Sequence, residues 1–241
     1  MLDERILVIT GAGISAESGI STFRGKNGYW RNLDPAKLAT PQAFRRDPHL
    51  VWEWYRERRN AIRNAQPNPA HVAITRLANE SRHFLLITQN VDDLHIRAAH
   101  DGKWIAPDHL VQIHGDIFLT RCSRCDFQFF ERSEDTPELP LCEKCGAMMR
   151  PGIVWFGEML DPARIDRVEA YLAEGPCDHV LVIGTTAMFG YIIDWALRAA
   201  QDGARLIEVN PDVTPLSEHA TDTIREPAGS VLPGLVHRLL S

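Results

Sequence analysis

RILVITGAGISA, residues 5–16, is an apolar run of strand length that stops at a glycine turn and reopens in residues fit to start a helix. RILVIT shows no polar alternation, as suits a strand buried on both faces. Gly11, Ala12, Gly13, Ile14, Ser15 and Ala16 fit G-x-G-x-x-G/A directly after it. Glycines at that spacing let the backbone approach a pyrophosphate, although a tight strand-to-helix turn with no ligand fits the same residues. HFLLIT (83–88), HVLVIG (179–184) and ARLIEV (204–209) are further runs of this kind. Helical patterns lie between them: PAHVAITRLANE after the Asn68 cap, DDLHIRAAH from Asp92 and YIIDWALRAA from Tyr191. Strands alternating with helices predict an α/β fold built on a Rossmann-type, doubly wound parallel sheet. A dehydrogenase would carry an acidic residue at the end of a second strand about 20 residues after the turn. STFRGKNGYWRNLD stands there instead, polar and unlike a strand.

Two segments interrupt the alternation. Residues 28–66 are helical and rich in Trp, Tyr and Arg; residues 118–151 are rich in Cys and short of apolar runs. Both read as insertions forming a smaller domain, a helical part and a metal module, beside a nucleotide-binding domain of residues 1–27, 67–117 and 152–241. Cys122-x-x-Cys125 and Cys142-x-x-Cys145, with 16 residues between the pairs, match the spacing for tetrahedral zinc. Four thiolates leave no open position for water, so one structural zinc is expected and not a catalytic one. Two disulfides are the alternative. The fifth cysteine, Cys177, reads as a buried inert thiol.

The chain has 241 residues, 44% of them hydrophobic, enough for a sizeable core. A net charge of −6 without a basic block argues against a nucleic-acid partner but suits a basic peptide. No apolar run approaches the roughly 20 residues that cross a bilayer. The first residues, MLDERILVIT, show no leader, so a cytoplasmic location is expected. Oligomeric state is not legible.

Asp47 and Pro48 read as an N-cap and first helical residue of a helix running to about Ala65. Leu50, Val51, Trp54, Tyr55, Ala61, Ile62 and Ala65 fall in one apolar arc, with Arg56, Arg59 and Arg63 outside it. Arg58 falls near the middle of the arc. It could snorkel, pair with a carboxylate such as Glu53 or Glu57, or await an acidic ligand. Tyr55, three positions earlier, adds a hydroxyl beside the guanidinium, a donor pair suited to a carboxylate. His114 ends the strand-like LVQIHG, where α/β enzymes place a base, although a structural histidine fits the same position. Gln89, Asn90 and Asp92 emerge from HFLLIT, as amide readers or as helix caps.

GAGISAESGISTFRG, TQNVDDLH, IHG, the paired CxxC motifs, RPGIVWFGE, VIGTT and EVNPD occur in this order over essentially the whole chain. Together they resemble the sirtuins, NAD-dependent protein-lysine deacylases. The resemblance implies a phosphate turn at Gly11, Ala12, Gly13, Ser15, Ala16 and Glu17, and a closing loop at Phe23, Arg24, Tyr29 and Trp30. It implies nicotinamide and ribose contacts at Gln89, Asn90 and Asp92, and an adenosine side at Gly184, Thr185, Thr186 and Asn210. His114 corresponds to the general base, and Val154, Trp155, Phe156 and Gly157 to a strand that pairs with a substrate backbone. In the implied reaction the acyl oxygen attacks the ribose carbon as nicotinamide leaves, and His114 then helps a ribose hydroxyl attack the intermediate. The products are lysine, nicotinamide and O-acyl-ADP-ribose.

Tyr-x-x-Arg resembles the mark of the branch that removes succinyl, malonyl or glutaryl groups, with Ala39 the small residue that leaves room for the longer tail. The implied function is removal of acidic acyl groups from lysine on protein substrates, with weaker deacetylation. A general deacetylase with a structural Arg58, a non-catalytic NAD-sensing module and a dehydrogenase are the alternatives. Two departures stand out: Ser21 replaces a common proline, and AMFGYIIDWA (187–196) replaces a valine- and proline-containing run.

Overall fold

The computed structural model describes residues 1–22, 34–133 and 137–241. Its main sheet is built from β1 (Leu2–Thr10), β2 (Ser81–Thr88), β5 (Leu110–Gln112), β9 (His179–Ile183), β10 (Arg205–Val209) and β11 (Asp222–Ile224), all pairs parallel. The spatial order β5-β2-β1-β9-β10-β11 runs out from β1 in both directions, which is the doubly wound order. Successive side chains of β1 supply opposite cores: Ile6 and Val8 one, Leu7 and Ile9 the other. On the first face pack α5 (Pro69–Glu80) and α9 (Ala228–Leu239); on the second pack α7 (Pro162–Ala173) and α8 (Gly190–Ala199).

A third core lies away from this sheet. It joins α2 (Pro35–Leu38), α3 (Pro41–Arg46) and α4 (Pro48–Asn64) to an antiparallel sheet of β7 (Gln128–Phe130), β6 (Gly115–Cys122) and β8 (Met149–Ile153). Trp52, Trp54, Tyr55, Phe118, Met149 and Trp155 fill it. Asp47 caps α4 by accepting from Leu50 N, and Asn68 caps α5 in a reciprocal box with His71. The helix expected from Asp92 is a single turn, α6 (Leu94–Arg97), because the chain turns at Ala98 into the hairpin of β3 (Ala99–His100) and β4 (Lys103–Trp104). A turn of the same length, α1 (Gly13–Ala16), follows β1. Among the described residues no helix is long and apolar enough to cross a membrane.

The apolar arc drawn on α4 needs correction. Ala61 is exposed, while Trp52 and Arg59 are buried with Val51, Trp54, Tyr55 and Ile62. Arg59 has no exposed surface; its Nε donates to Ile117 O and its Nη2 to Leu119 O and Thr120 Oγ1. The β6 backbone therefore receives the guanidinium, on a flank the hydrophobic pattern did not mark.

Candidate active site

Gly11, Gln89, Gly184 and Asn210 are the first residues beyond β1, β2, β9 and β10, and His114 lies two beyond β5. The chain thus delivers them to one edge, where the carboxyl ends of the strands and the reversal of strand order between β1 and β9 open a crevice. At that reversal Gly13 N donates to Gly184 O at 2.8 Å. A Cβ at Gly11 would stand 2.7 Å from Thr185 Cβ, and one at Gly13 would stand 2.8 Å from Gly184 Cα. The glycines thus let the two turns touch. Gln89 Nε2 donates to Thr185 Oγ1 at 2.8 Å, and Asn210 Nδ2 to Thr185 O at 2.6 Å.

Below this contact runs a buried polar chain. Asn68 N donates to His71 Nδ1, so the His71 proton sits on Nε2, 3.4 Å from Ser15 Oγ. Asn90 Nδ2 donates to the same oxygen at 3.1 Å, and the Ser15 hydroxyl donates to Asp92 Oδ2 at 3.0 Å. Asp92 Oδ1 accepts from Leu94 N. Burial pushes the Asp92 carboxyl up to about 6, against the bonds from Leu94 N and the Ser15 hydroxyl. Burial likewise lowers His71 to about 4 and holds His95, whose ring lies 4.8 Å from it, well below the histidine range. The sequence reading passed over His71; its place three residues after the Asn68 cap was the available signal.

His114 is half-buried. Its Nδ1 lies 2.9 Å from Gln89 O and its Nε2 2.6 Å from the Tyr191 hydroxyl. Burial lowers its pKa below the usual histidine value; the Gln89 carbonyl opposes the shift and the Arg164 guanidinium adds to it.

Next to the imidazole, His114 O accepts from Val154 N at 2.8 Å, and Ala39 O accepts from Phe156 N at 2.9 Å. Trp155 N donates to Glu158 Oε2, and the carboxylate is held in turn by Arg150. Residues 154 and 155 belong to no regular element and 156–157 form a turn, so the expected strand is absent there; β8 ends at Ile153, and the next three amides are bound within the chain. Phe156 and Gly157 are exposed, while Trp155 is buried and its indole donates to Tyr55 Oη at 3.0 Å. That bond leaves the Tyr55 proton available to a further acceptor. Arg58 is half-buried as a residue, with Nε shielded from solvent and the guanidinium 5.3 Å from the Trp54 ring. Burial lowers its pKa, and the Tyr55 and Asp92 oxygens oppose this, so its charge lies within reach of both. Ala39 is buried.

The remaining predicted residues differ in burial and partners. Glu17 points away from the turn, and its Oε1 accepts from Gly229 N at the start of α9. Ala12 is half-buried; Ala16 and Thr186 are exposed. Phe23, Arg24, Tyr29 and Trp30 lie outside the described residues.

The Sγ atoms of Cys122, Cys125, Cys142 and Cys145 all lie within 4.8 Å of one another, with closest pairs of 3.5 Å. Thiolates about 2.3 Å from a tetrahedral centre would stand roughly 3.8 Å apart, so the donor set fits zinc. All five cysteines are free of disulfides.

A profile described as the Sir2 family matches residues 11–189. The chain belongs to the Sir2 family. It is 43% identical over 235 residues, 97% of this chain and 92% of the other, to NAD-dependent protein deacylase 1 of Archaeoglobus fulgidus. The solved structure of a Sir2 homologue–NAD complex superposes with a TM-score of 0.88 at 43% identity, covering 99% of this chain and 91% of that one. A Sir2–p53 peptide–NAD+ structure superposes with a TM-score of 0.79 at 26% identity, covering 98% and 92%.

Proposed function

We propose that this Sir2 protein, an NAD-dependent protein deacylase, removes acidic acyl groups such as succinyl and malonyl from lysine in preference to acetyl. NAD, when bound, supplies the acyl acceptor, its ribose taking the acyl oxygen as nicotinamide is lost. The chain's own residues bind, orient and move the proton. Gly11, Ala12 and Gly13 let the backbone meet the pyrophosphate, with Gly184, Thr185 and Asn210 on the adenosine side. Asn90 and Asp92, oriented by Ser15, read the nicotinamide amide and ribose, with Gln89 beside them. His114 is the base: with Nδ1 facing a carbonyl oxygen, its neutral ring keeps the lone pair on Nε2. On the proposed domain division, 1–27, 67–117 and 152–241 against 28–66 with 118–151, the site would lie between the two parts, with β6 and β8 running across the 117/118 and 151/152 boundaries.

The observation that carries the acyl preference is the placement of the Tyr55 hydroxyl and the Arg58 guanidinium. Tyr55 Oη is bound to Trp155, the neighbour of Val154, whose N donates to His114 O, and the Tyr55 and Asp92 oxygens favour the charge on Arg58. A carboxylate at the end of an acyl chain would meet a phenol and a cation with little water to compete. Such bonds contribute about 1.5–3 kcal/mol each, on the order of tenfold or more in kcat/KM. Stacking on Trp54 favours the other reading, a structural Arg58 in a general deacetylase. Succinyl- and acetyl-lysine versions of one peptide decide between them. The expected result is a higher kcat/KM for succinyl that Arg58→Met abolishes; a ratio unaltered by the substitution overturns the preference.

A further inference from the structure

The assignment of His114 as base leaves a neighbour without a role. Tyr191, the second residue of α8, reaches Nε2 at 2.6 Å. Nδ1 faces Gln89 O, an atom that only accepts, so the neutral ring carries its proton on Nδ1. Nε2 is then the acceptor and the phenol the donor. The phenol is itself held in place: Phe189 stacks on it at 5.6 Å and 17°, and the Trp195 ring lies 5.1 Å away. Phe189 also meets the imidazole edge-on at 5.8 Å. This arrangement belongs to residues 187–196.

We propose that Tyr191 is a positioning residue for the general base in the enzyme before NAD binds, its hydroxyl donating to Nε2 so that the imidazole is held in one rotamer and in its neutral form until the ribose hydroxyl takes that place on Nε2. The inference rests on the reading of His114 given above. Burial pushes the Tyr191 phenol up to about 12, so it remains a donor across the working range. Among the described residues, the other groups around the imidazole are few. From α7, Arg164 donates to Gln112 O and disfavours a second positive charge nearby. Asp116, two residues along, turns its carboxylate to Phe118 N and Gln112 Nε2. At the end of β2 the facing group is the Gln89 carbonyl.

The neutral ring is the active form, and activity is lost as pH falls through its pKa. A hydrogen bond donated to Nε2 exists only in that form, so it lowers the pKa and extends activity toward acid. Tyr191→Phe keeps the stacked ring and removes the donor. The acidic limb of kcat/KM is then expected to rise by about half to one pH unit. Below the limb the variant should fall about three- to tenfold relative to the parent, and recover toward the alkaline plateau. A packing defect would lower kcat/KM by one factor at every pH, and that constant ratio overturns the inference. Imidazole 15N shifts of the unmodified protein give a test that does not depend on the variant folding. Protonated Nδ1 with bare Nε2 is expected at alkaline pH, and a neutral ring protonated at Nε2 overturns the assignment. Deacylation that survives His114→Ala would remove the base reading itself. Its loss there, with a flat Tyr191→Phe ratio, removes only the positioning role.

Discussion

Two adjacent arginines of α4 show what periodicity can and cannot resolve. Arg58 lies on the face where Trp54 and Tyr55 already point, so the pattern finds it. Arg59 is the more deeply buried, and the pattern misses it because its partners are main-chain carbonyls of β6, which carry no sequence signal. Its place a heptad after Trp52, whose indole donates to Met149 O, puts both side chains on the flank facing the small sheet. Burial lowers the Arg59 pKa to about 10, leaving the group charged at neutral pH, and the hydrogen bonds compensate part of its lost hydration. Arg59→Leu should therefore destabilise the protein by about 2–4 kcal/mol, read from the urea midpoint, because the carbonyl oxygens of β6 lose a charged donor. A midpoint equal to the parent's would mean that water replaces the guanidinium at no cost. Arg58→Met, half-buried and without those bonds to β6, should cost far less stability while altering acyl selectivity.

At the scale of elements, the helices announce themselves by their first two residues. Asp34–Pro35, Thr40–Pro41, Asp47–Pro48, Asn68–Pro69 and Asp161–Pro162 each place a side-chain cap before a proline at the first helical position. Read consistently, that signature would also have found α7, whose apolar face is faint because Val168 is its one fully buried residue. α9 is masked by the proline within it, Pro233, and β11 by its length of three residues at the sheet edge. The zinc module was legible by spacing alone, but not its sheet, since β7 is exposed throughout. The end of this sheet that carries Cys122 and Met149 is tied to the four-cysteine cluster and to an exposed β7, so it should depend on the metal. Chelation, or Cys142→Ser, is expected to strip hydrogen-exchange protection from β6 and β8 before β1, β2 and β9 are affected. Simultaneous loss across both sheets would show one cooperative unit and no separate metal-dependent module.

For the molecule as a whole, the distinctive requirement is that two turns far apart in sequence occupy the same space. Strand identity could be read from apolar runs, yet no local pattern says that the turn after β1 rests against the turn after β9; only the strand order creates that contact. Gly184 sits there at φ +59°, and a Cβ on it would stand 2.5 Å from Ile14 N. The left-handed conformation alone costs a side chain roughly 1–2 kcal/mol, and the backbone contact leaves no flexible side-chain end to give way. Gly184→Ala should therefore push the two turns apart, lowering Tm and opening the surface on which NAD is proposed to lie. A ligand that binds only the folded state at a hundred times its Kd stabilises by about 2.7 kcal/mol. At an NAD concentration giving the parent a clear rise in Tm, the variant should show a markedly smaller one, because its binding surface is displaced as well as its fold weakened. A lower Tm with the full NAD-induced rise would confine the contact to a structural role. An unaltered Tm would mean that the turns can part without cost, and the sheet reversal would then not be what shapes the site.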